Sequence, residues 1–302
     1  MGKYFFGIAG WSYQDWAGIV YPEKKPKGFD PLTYLTEFFD AIELNNTFYR
    51  IPESKVVSNW AKRVSGNPRF RFTAKLWEGF THKKQEVNSA DVKQFKKAME
   101  PLVSDNLLGS LLLQFPISFQ NDESGRERLS LLIKLFKEYP LVVEFRHRSW
   151  VNPDTFDWLK DQKIGYCNVD EPRFRELIKP SSEVTGPTAY VRFHGRNYQN
   201  WFKKDRPSAA RYNYLYSEDE LDEWIPRIQE MGKKAKDVYV IGNNHFRGQA
   251  PANVLQLKSK TIQGPVDVPE SMMEAYPQLE RIAKKQKKPR TRKQPSLFHD
   301  EG

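Results

Sequence analysis

Charged side chains stand inside or directly after several short apolar runs of this chain, and their types could support acid–base or metal chemistry. Glu43 and Glu144 lie inside two such runs, and Asp170 follows a third. His194 and His245 come at the ends of two later runs. Carboxylates and imidazoles are the groups that most often transfer protons or bind divalent metals in enzymes. We therefore treat Glu43, Glu144, Asp170, His194 and His245 as candidate catalytic residues.

Basic, amide and aromatic side chains at the same points could bind a substrate. Arg146 lies two residues after Glu144, and Arg192 two residues before His194, so each pair shares one face of a strand. Guanidinium groups hold phosphate or carboxylate in a bidentate fork, and aromatic faces stack on bases or sugar rings. The candidate substrate-binding residues are Trp11, Tyr13, Asn45, Lys75, Gln114, Arg146, Trp150, Arg192 and Asn243.

Two chemistries are open for these groups. Glu144, Asp170 and His194 could hold a divalent metal as a cofactor, although no two candidates have the close spacing of a His-x-x-x-His pair. Alternatively, a carboxylate and a histidine could act as general base and acid while arginines hold an anion. The sequence does not choose between a metal site and an acid–base site.

A structural interpretation competes with both chemistries. Strand interiors rarely carry charge unless it is paired. Glu144 with Arg146, and Glu43 with Arg192, could therefore be ion pairs that close the top of the fold. The number of polar groups that gather at strand ends favours a functional site over ion pairing alone.

Eight apolar runs rich in β-branched and aromatic residues supply the elements that would position these side chains. Several are almost continuously apolar, as strands buried on both faces of a parallel sheet should be. The predicted strands are Tyr4–Gly10, Ala41–Asn46, Arg69–Leu76, Ser110–Phe115, Leu141–Arg146, Gly165–Val169, Thr188–His194 and Val238–Asn243.

Segments with helical spacing separate most of these strands. Asp30-Pro31 and Asn152-Pro153 are typical helix starts, and Ser217 with Glu220 is a capping box that opens a helix to about Lys234. The spacing also predicts helices over 90–103 and 126–139. Strands that alternate with helices predict an α/β fold, a single (β/α)8 TIM-type barrel with its site at the carboxyl ends of the strands. An open doubly wound sheet is the alternative, but no Gly-x-Gly-x-x-Gly follows the first strand.

Charge divides the 302 residues into a nearly balanced body and a basic tail. The formal net charge is +10, and half of it lies in residues 284–302, which hold seven Lys/Arg and two Asp/Glu. We predict a barrel domain over 1–283 and a flexible tail over 284–302 that could touch nucleic acid through charge. The single cysteine, Cys167, and the absence of a long apolar segment predict a cytoplasmic protein without a membrane partner.

The tail ends in a short motif that could bind a protein. Gln294-Pro295-Ser296-Leu297-Phe298 resembles the pentapeptide Gln-Leu-Ser/Asp-Leu-Phe with which bacterial replication and repair proteins dock on the DNA sliding clamp, with proline in place of leucine. The resemblance implies that Gln294 would hydrogen-bond at a pocket rim while Leu297 and Phe298 fill an apolar pocket. The expected partner of this tail is therefore a bacterial sliding clamp.

Longer motifs at the predicted strand ends resemble one family. The chain is similar to the YecE-like proteins, family seventy-two of the domains of unknown function, over roughly residues 4–260. This resemblance implies a TIM barrel and names no reaction, and the tail lies outside it. The motifs that carry it are Gly10–Tyr13, Glu43–Tyr49, Phe72–Lys75, Leu112–Pro116, Val143–Trp150, Tyr190–Gly195 and Asn243–His245.

These observations lead to three hypotheses of function. The first is an enzyme, hydrolase-like or nuclease-like, that acts on a phosphate-containing or nucleic-acid-derived substrate and is tethered to DNA metabolism by its tail. The second is a sugar or sugar-acid enzyme without a DNA role, since carboxylates among aromatic residues also suit glycoside chemistry. The third is a non-catalytic module that only binds an anion.

Overall fold

A closed barrel of eight parallel strands forms the centre of the computed structural model, which describes residues 2–83, 85–203 and 208–285. Each strand pairs with its neighbour in chain order, and the eighth closes on the first. The predicted (β/α)8 barrel is confirmed, and no predicted strand end differs by more than two residues from the observed one. The strands are β1 Lys3–Ala9, β2 Ala41–Leu44, β3 Arg71–Lys75, β4 Leu108–Gln114, β5 Leu141–Glu144, β6 Gly165–Asp170, β7 Thr188–Phe193 and β8 Asp237–Gly242.

Helices connect the strands and cover the outside of the barrel. Short 3₁₀ turns follow four of the strands, at Gln14–Trp16, Arg148–Trp150, Ser208–Tyr212 and Phe246–Gly248, and a fifth, Pro277–Arg281, follows the last helix. The helices are α1 Pro31–Leu35, α2 Asn46–Tyr49, α3 Ser54–Val64, α4 Glu78–Thr81, α5 Ser89–Ser104, α6 Glu123–Phe136, α7 Pro153–Asp161, α8 Glu218–Asp222, α9 Ile225–Lys234, α10 Gln249–Ile262 and α11 Glu270–Ala275. Across the described ranges, none of these helices is long and apolar enough to cross a bilayer.

The predicted helix starts are confirmed by their caps. The Asp30 carboxylate accepts a hydrogen bond from Thr33 N at 2.7 Å, and Ser217 forms the full capping box with Glu220. The single helix predicted from Ser217 to Lys234 is wrong, because the segment divides into α8 and α9. Pro226 stands in the first turn of α9, where its missing N–H and its ring prevent continuation from the preceding turn.

The interior of the barrel changes from apolar to charged toward the carboxyl ends of its strands. Tyr190 and Tyr239 stack near the middle with ring centroids 5.8 Å apart, and the Thr73 hydroxyl hydrogen-bonds to the Tyr190 hydroxyl at 2.8 Å. Since alternate residues of a strand point to the same face, the next inward positions after Thr73 and Tyr190 are Lys75 and Arg192. The polar middle layer thus supports a charged layer above it.

Candidate active site at the carboxyl ends of the strands

Arg192 of β7 lies at the centre of a buried ion network inside the barrel. Its Nη1 donates to Glu144 Oε2 at 2.7 Å, and its Nη2 donates to Glu43 Oε1 at 2.6 Å. Glu43 accepts a further hydrogen bond from the Tyr190 hydroxyl at 2.9 Å. Burial opposes the ionisation of Glu144, but Arg146 and Arg192 hold the pKa of its carboxyl well below the usual range. One guanidinium therefore joins two carboxylates from different strands.

Arg146 forms a second, outer layer of the same network. Its Nη1 lies 2.5 Å from Glu171 Oε2, and its Nη2 lies 2.5 Å from Glu144 Oε1. The same Nη2 lies 2.9 Å from His194 Nε2. Its side chain is 15% exposed, yet its Nε is buried without a hydrogen-bond partner in the described part of the protein. Arg146 therefore reaches the solvent side of the network with one donor still to be satisfied.

His194 is buried and neutral. Burial, with the charges of Arg146 and Arg192, lowers the pKa of its imidazole well below the usual range. Because a guanidinium carries only donors, Nε2 must accept from Arg146, and the ring proton then lies on Nδ1. Nδ1 is 3.0 Å from the side-chain amide of Asn243 and can donate to its oxygen when the amide is turned toward the ring. His194 is thus a fixed hydrogen-bonding link between β7 and β8.

Asp170 does not join this network. Its carboxylate receives two hydrogen bonds from Arg196, at 2.8 and 2.7 Å, one from the Tyr216 hydroxyl at 2.8 Å and one from Trp224 Nε1 at 2.7 Å. Trp224 lies between helices α8 and α9, so this cluster fixes the helical layer to strand β6. The structure therefore gives Asp170 a set of structural partners rather than a position beside Glu144.

Glu171, the residue after Asp170, occupies the position in the ion network that was expected for Asp170. The Cys167 side chain points into the barrel, since its Sγ lies 3.8 Å from Glu144 Oε2. Because alternate residues of a strand face the same side, Glu171, four residues later, also points inward. Burial raises the pKa of Glu171 to about 7, although Arg146 donates to its carboxylate. The two-residue period counted from Cys167 was the sequence signal that could have identified Glu171.

Lys75 ends β3 beside the ion network. Its Nζ lies 4.1 Å from the centroid of the Phe48 ring. Burial and the charge of Arg192 lower the pKa of the amine to about 7, against the opposing attraction of Glu43 and Glu144. His82 packs edge-on against Phe48, and burial together with Lys75 and Arg146 lowers the pKa of His82 to about 4. Phe48 and His82 are site residues that the sequence analysis did not select.

Aromatic residues surround the mouth of the barrel. Tyr13 stacks on His245 with ring centroids 4.4 Å apart, and Trp201 approaches His194 edge-on at 6.4 Å. His245 therefore belongs to an aromatic wall, and it makes no contact there with Glu144. Trp11 is half-buried against Trp60.

The remaining predicted substrate-binding residues are divided between the mouth and the packing around it. Asn45 follows β2, and its Oδ1 is buried without a partner among the described residues. Gln114 pairs with Glu144 in the register of β4 and β5 and donates to Phe115 O at 3.2 Å. Trp150 is fully buried, stacks on Phe145 and donates to Phe119 O at 2.9 Å, so its role is packing.

The site residues do not fit a divalent metal centre. In the ranges that the structure describes, no group of three or more His, Cys, Asp or Glu side chains is placed to hold a metal ion. Of the three metal candidates, Asp170 is held by Arg196, while Glu144 is hydrogen-bonded to Arg192 at 2.7 Å. Because guanidinium groups occupy the oxygens that a metal would need, we assign no metal ligands.

Comparison with known proteins gives consistent matches over most of the chain. The model of a family described as "Protein of unknown function DUF72" matches residues 5–275. The UPF0759 protein YunF of Bacillus subtilis is 29% identical over 267 residues, which cover 84% of this chain and 93% of that protein.

Solved structures of the same family resemble this one. A DUF72 family protein from Thermotoga maritima is 35% identical with a TM-score of 0.75, and the match covers 85% of this chain and 98% of that one. A DUF72 family protein from Enterococcus faecalis is 26% identical with a TM-score of 0.76, with coverage of 89% and 98%.

Proposed function

The chain belongs to the protein family of unknown function DUF72, which names no reaction, and we propose from the site itself that the protein is an enzyme acting on a phosphate-containing or nucleic-acid-derived substrate at the barrel mouth. The observation that carries the proposal is the buried Nε of Arg146, which lies in a cationic cluster and has no hydrogen-bond partner among the described residues. A buried donor of this kind needs an acceptor, and a phosphate or carboxylate oxygen is the acceptor that suits a guanidinium.

The charge of the cluster supports an anionic ligand. Lys75, Arg146 and Arg192 face the carboxylates of Glu43 and Glu144, and Glu171 is the third carboxylate of the mouth. Since burial raises the pKa of Glu171 to about 7, this carboxyl readily loses its charge near neutral pH. When Glu171 is neutral and Lys75 is protonated, the cluster holds one more positive charge than negative charges in a water-poor environment, where an anion binds most strongly.

Glu171 is also the group that best suits proton transfer. A general acid or base works most efficiently when its pKa lies near the operating pH, and burial brings the pKa of Glu171 to that range. Arg192 keeps Glu144 ionised and is hydrogen-bonded to Glu43 as well, so both carboxylates act as electrostatic support. We therefore assign proton transfer to Glu171 and anion binding to Arg146, with hydrolysis of a phosphate ester as the expected reaction class.

The alternative sugar chemistry has less support from this geometry. A glycosidase needs one carboxylic acid that stays protonated to give its proton to the leaving group. Glu171, whose pKa burial raises to about 7, could serve as that acid. However, Arg192 and Arg146 hold both oxygens of Glu144, so Glu144 is not free to act as the second carboxylate, the nucleophile or base. The aromatic wall of Tyr13 and His245 fits a sugar ring or a base equally well.

Arg146→Gln is expected to weaken phosphate binding by about 10- to 100-fold, because a charge-assisted hydrogen bond contributes about 1.5–3 kcal/mol. Isothermal titration would measure the affinity of the purified protein for inorganic phosphate, ribose 5-phosphate and a mononucleotide. Arg148→Gln is the matched control, since Arg148 lies two residues away and pairs at the surface with Glu176.

Equal affinities in wild type and Arg146→Gln would contradict the anion site. Turnover then separates an enzyme from a binding module. Binding that depends on Arg146, without hydrolysis of any phosphate ester in the panel by wild type, would favour the non-catalytic alternative.

We also propose that the tail docks on a bacterial sliding clamp through Gln294, Leu297 and Phe298, which lie outside the described residues. The support is the pentapeptide itself and the cationic segment before it, whose charge would add salt-sensitive affinity for DNA. A tethered barrel would then act where the clamp is loaded, whichever reaction it performs.

Leu297→Ala combined with Phe298→Ala is expected to lower clamp affinity at least about 10-fold, because two apolar side chains lose their pocket. Surface plasmon resonance with immobilised bacterial clamp and full-length protein would measure it. His299→Ala combined with Asp300→Ala, just beyond the pentapeptide, is the control expected to bind like wild type. Clamp docking is wrong if wild type does not bind or if the first variant binds equally well.

A further inference from the structure

Lys75 is a buried amine whose surroundings differ from those of an ion-paired lysine. Its side chain is 9% exposed, and an aromatic ring, Phe48, lies 4.1 Å from Nζ. The carboxylates that attract it, Glu43 and Glu144, are hydrogen-bonded to Arg192 instead. Within the described ranges, no carboxylate lies at ion-pair distance from Nζ. The amine therefore lies at the mouth of the barrel without a carboxylate partner among the described residues.

These surroundings favour the neutral, nucleophilic form of the amine. Lysine becomes a nucleophile when burial desolvates it or another cation stands beside it, and burial and Arg192 act in this way on Lys75, against the cation–π attraction of the Phe48 ring. Together burial and Arg192 lower the pKa of Lys75 to about 7, so about half of the amine is neutral at that pH. An ordinary lysine is neutral in roughly one molecule of a few thousand at pH 7.

We propose that Lys75 is a nucleophile that forms an imine with the carbonyl carbon of a phosphate-bearing aldehyde or ketone. The inference deepens the proposed function, on which its phosphate requirement rests. The Nζ lone pair forms the new C–N bond while the C=O π pair moves to oxygen. The nitrogen then loses both of its protons, the C–O bond breaks, and oxygen leaves as water. The product is a C=N bond between Lys75 and substrate, and no oxidant or reductant is needed.

The neighbours of Lys75 fit a substrate that carries both a carbonyl and a phosphate. Arg146 and Lys75 belong to one cluster, since both of their charges act on His82. Arg146 can hold the phosphate through its unpartnered Nε while the carbonyl carbon meets Nζ.

Two sources supply this chemistry. A free sugar phosphate carries an aldehyde or ketone in its open form. The opened deoxyribose of an abasic site in DNA carries an aldehyde between two phosphates, and reaching it would need the sugar turned out of the helix. Both present the same carbonyl beside a phosphate, so the experiment needs an arm for each.

Reductive trapping tests the imine directly. Full-length protein would be incubated at pH 7 with sodium cyanoborohydride and either glyceraldehyde 3-phosphate or an oligonucleotide containing one abasic site. Hydride addition to the C=N bond gives a stable secondary amine, visible by intact mass as the substrate less water plus two hydrogens. Peptide mapping then identifies the modified lysine. The adduct is expected on Lys75 in wild type, and the productive arm identifies the source.

Lys75→Met is expected to lose the adduct, while Lys83→Met, which changes an exposed lysine after α4, is expected to keep it. No adduct on Lys75 in either arm, or equal labelling of Lys75→Met and wild type, would overturn the inference. Phosphate titration of the same samples separates the two proposals. Binding that still depends on Arg146 without trapping at Lys75 leaves the proposed function standing and removes only the imine.

Discussion

Replacing Arg192 by methionine is expected to lower the free energy of unfolding by about 3–5 kcal/mol, the cost of leaving buried charge unpaired. Arg192 donates to Glu43 at 2.6 Å and to Glu144 at 2.7 Å, and all three side chains are buried. Methionine keeps much of the length and the apolar stem but leaves both carboxylates without that guanidinium. Urea unfolding at pH 7, followed by circular dichroism, would measure the change.

Two comparisons make this result specific. Arg63→Met removes an ion pair with Asp30 in which both side chains are about one-third exposed, and should cost less than about 1 kcal/mol. Adding Glu43→Gln to Arg192→Met should restore part of the lost stability, because one unpaired charge disappears and the pair is coupled. A loss below about 1 kcal/mol for Arg192→Met would mean that the network does not hold the barrel together.

The sequence predicted the barrel well because its strands are local patterns. Runs such as Leu141–Glu144 and Thr188–Phe193 are buried at every position, so apolar content alone locates them. Helix starts were equally local, since the Asp30 and Asn152 caps bond within three residues of themselves. The capping box at Ser217 predicts the start of a helix but not its length. The division into α8 and α9 comes from Pro226, which the helical spacing alone does not reveal.

The site was only partly predictable, because its contacts join residues distant in the chain. Alternation within one strand placed Glu144 beside Arg146, and the structure contains that ion pair and the pair of Glu43 with Arg192. Nothing in the sequence indicates that Arg192 also reaches Glu144, which depends on the curvature of the closed barrel.

Asp170 and Glu171 show that an error of one residue along a strand changes which side chain is predicted to lie in the site. A shift of one residue along a strand exchanges the barrel interior for the helical layer. Asp170 was predicted as a site residue, but its carboxylate is held by Arg196 and Trp224. Its neighbour Glu171 contacts Arg146 instead. Where two acidic residues follow each other, only the parity of a known inward residue such as Cys167 decides between them.

Replacing Lys75, a buried cation without an ion pair among the described residues, is expected to change the free energy of unfolding in the opposite direction from replacing Arg192. Lys75→Met should raise the free energy of unfolding by about 4 kcal/mol at pH 7, because each pKa unit corresponds to about 1.4 kcal/mol. Burial and Arg192 lower the pKa of Lys75 from 10.5 to about 7 in the folded protein. The folded state therefore disfavours a charge that the unfolded chain carries freely.

The sign of the pH dependence follows from proton counting. Between pH 7 and about 10.5 the unfolded chain holds more protons on Lys75 than the folded protein does, so wild-type stability rises with pH in this window. Lys75→Met removes that contribution, and its advantage over wild type should shrink to about 1 kcal/mol at pH 9.5. Urea unfolding of both proteins between pH 7 and 9.5 measures the difference, with Lys83→Met expected to stay within about 0.5 kcal/mol of wild type throughout.

If Lys75→Met is more stable than wild type, and most so at pH 7, then the lysine at this position destabilises the barrel. A stabilising pair such as Arg192 with Glu43 gives the opposite result on removal, so the two substitutions separate structural charge from charge kept for chemistry. If wild type proves more stable than Lys75→Met across the whole window, Lys75 supports the fold as an ordinary cation. The explanation of its burial by nucleophilic chemistry would then lose its energetic basis.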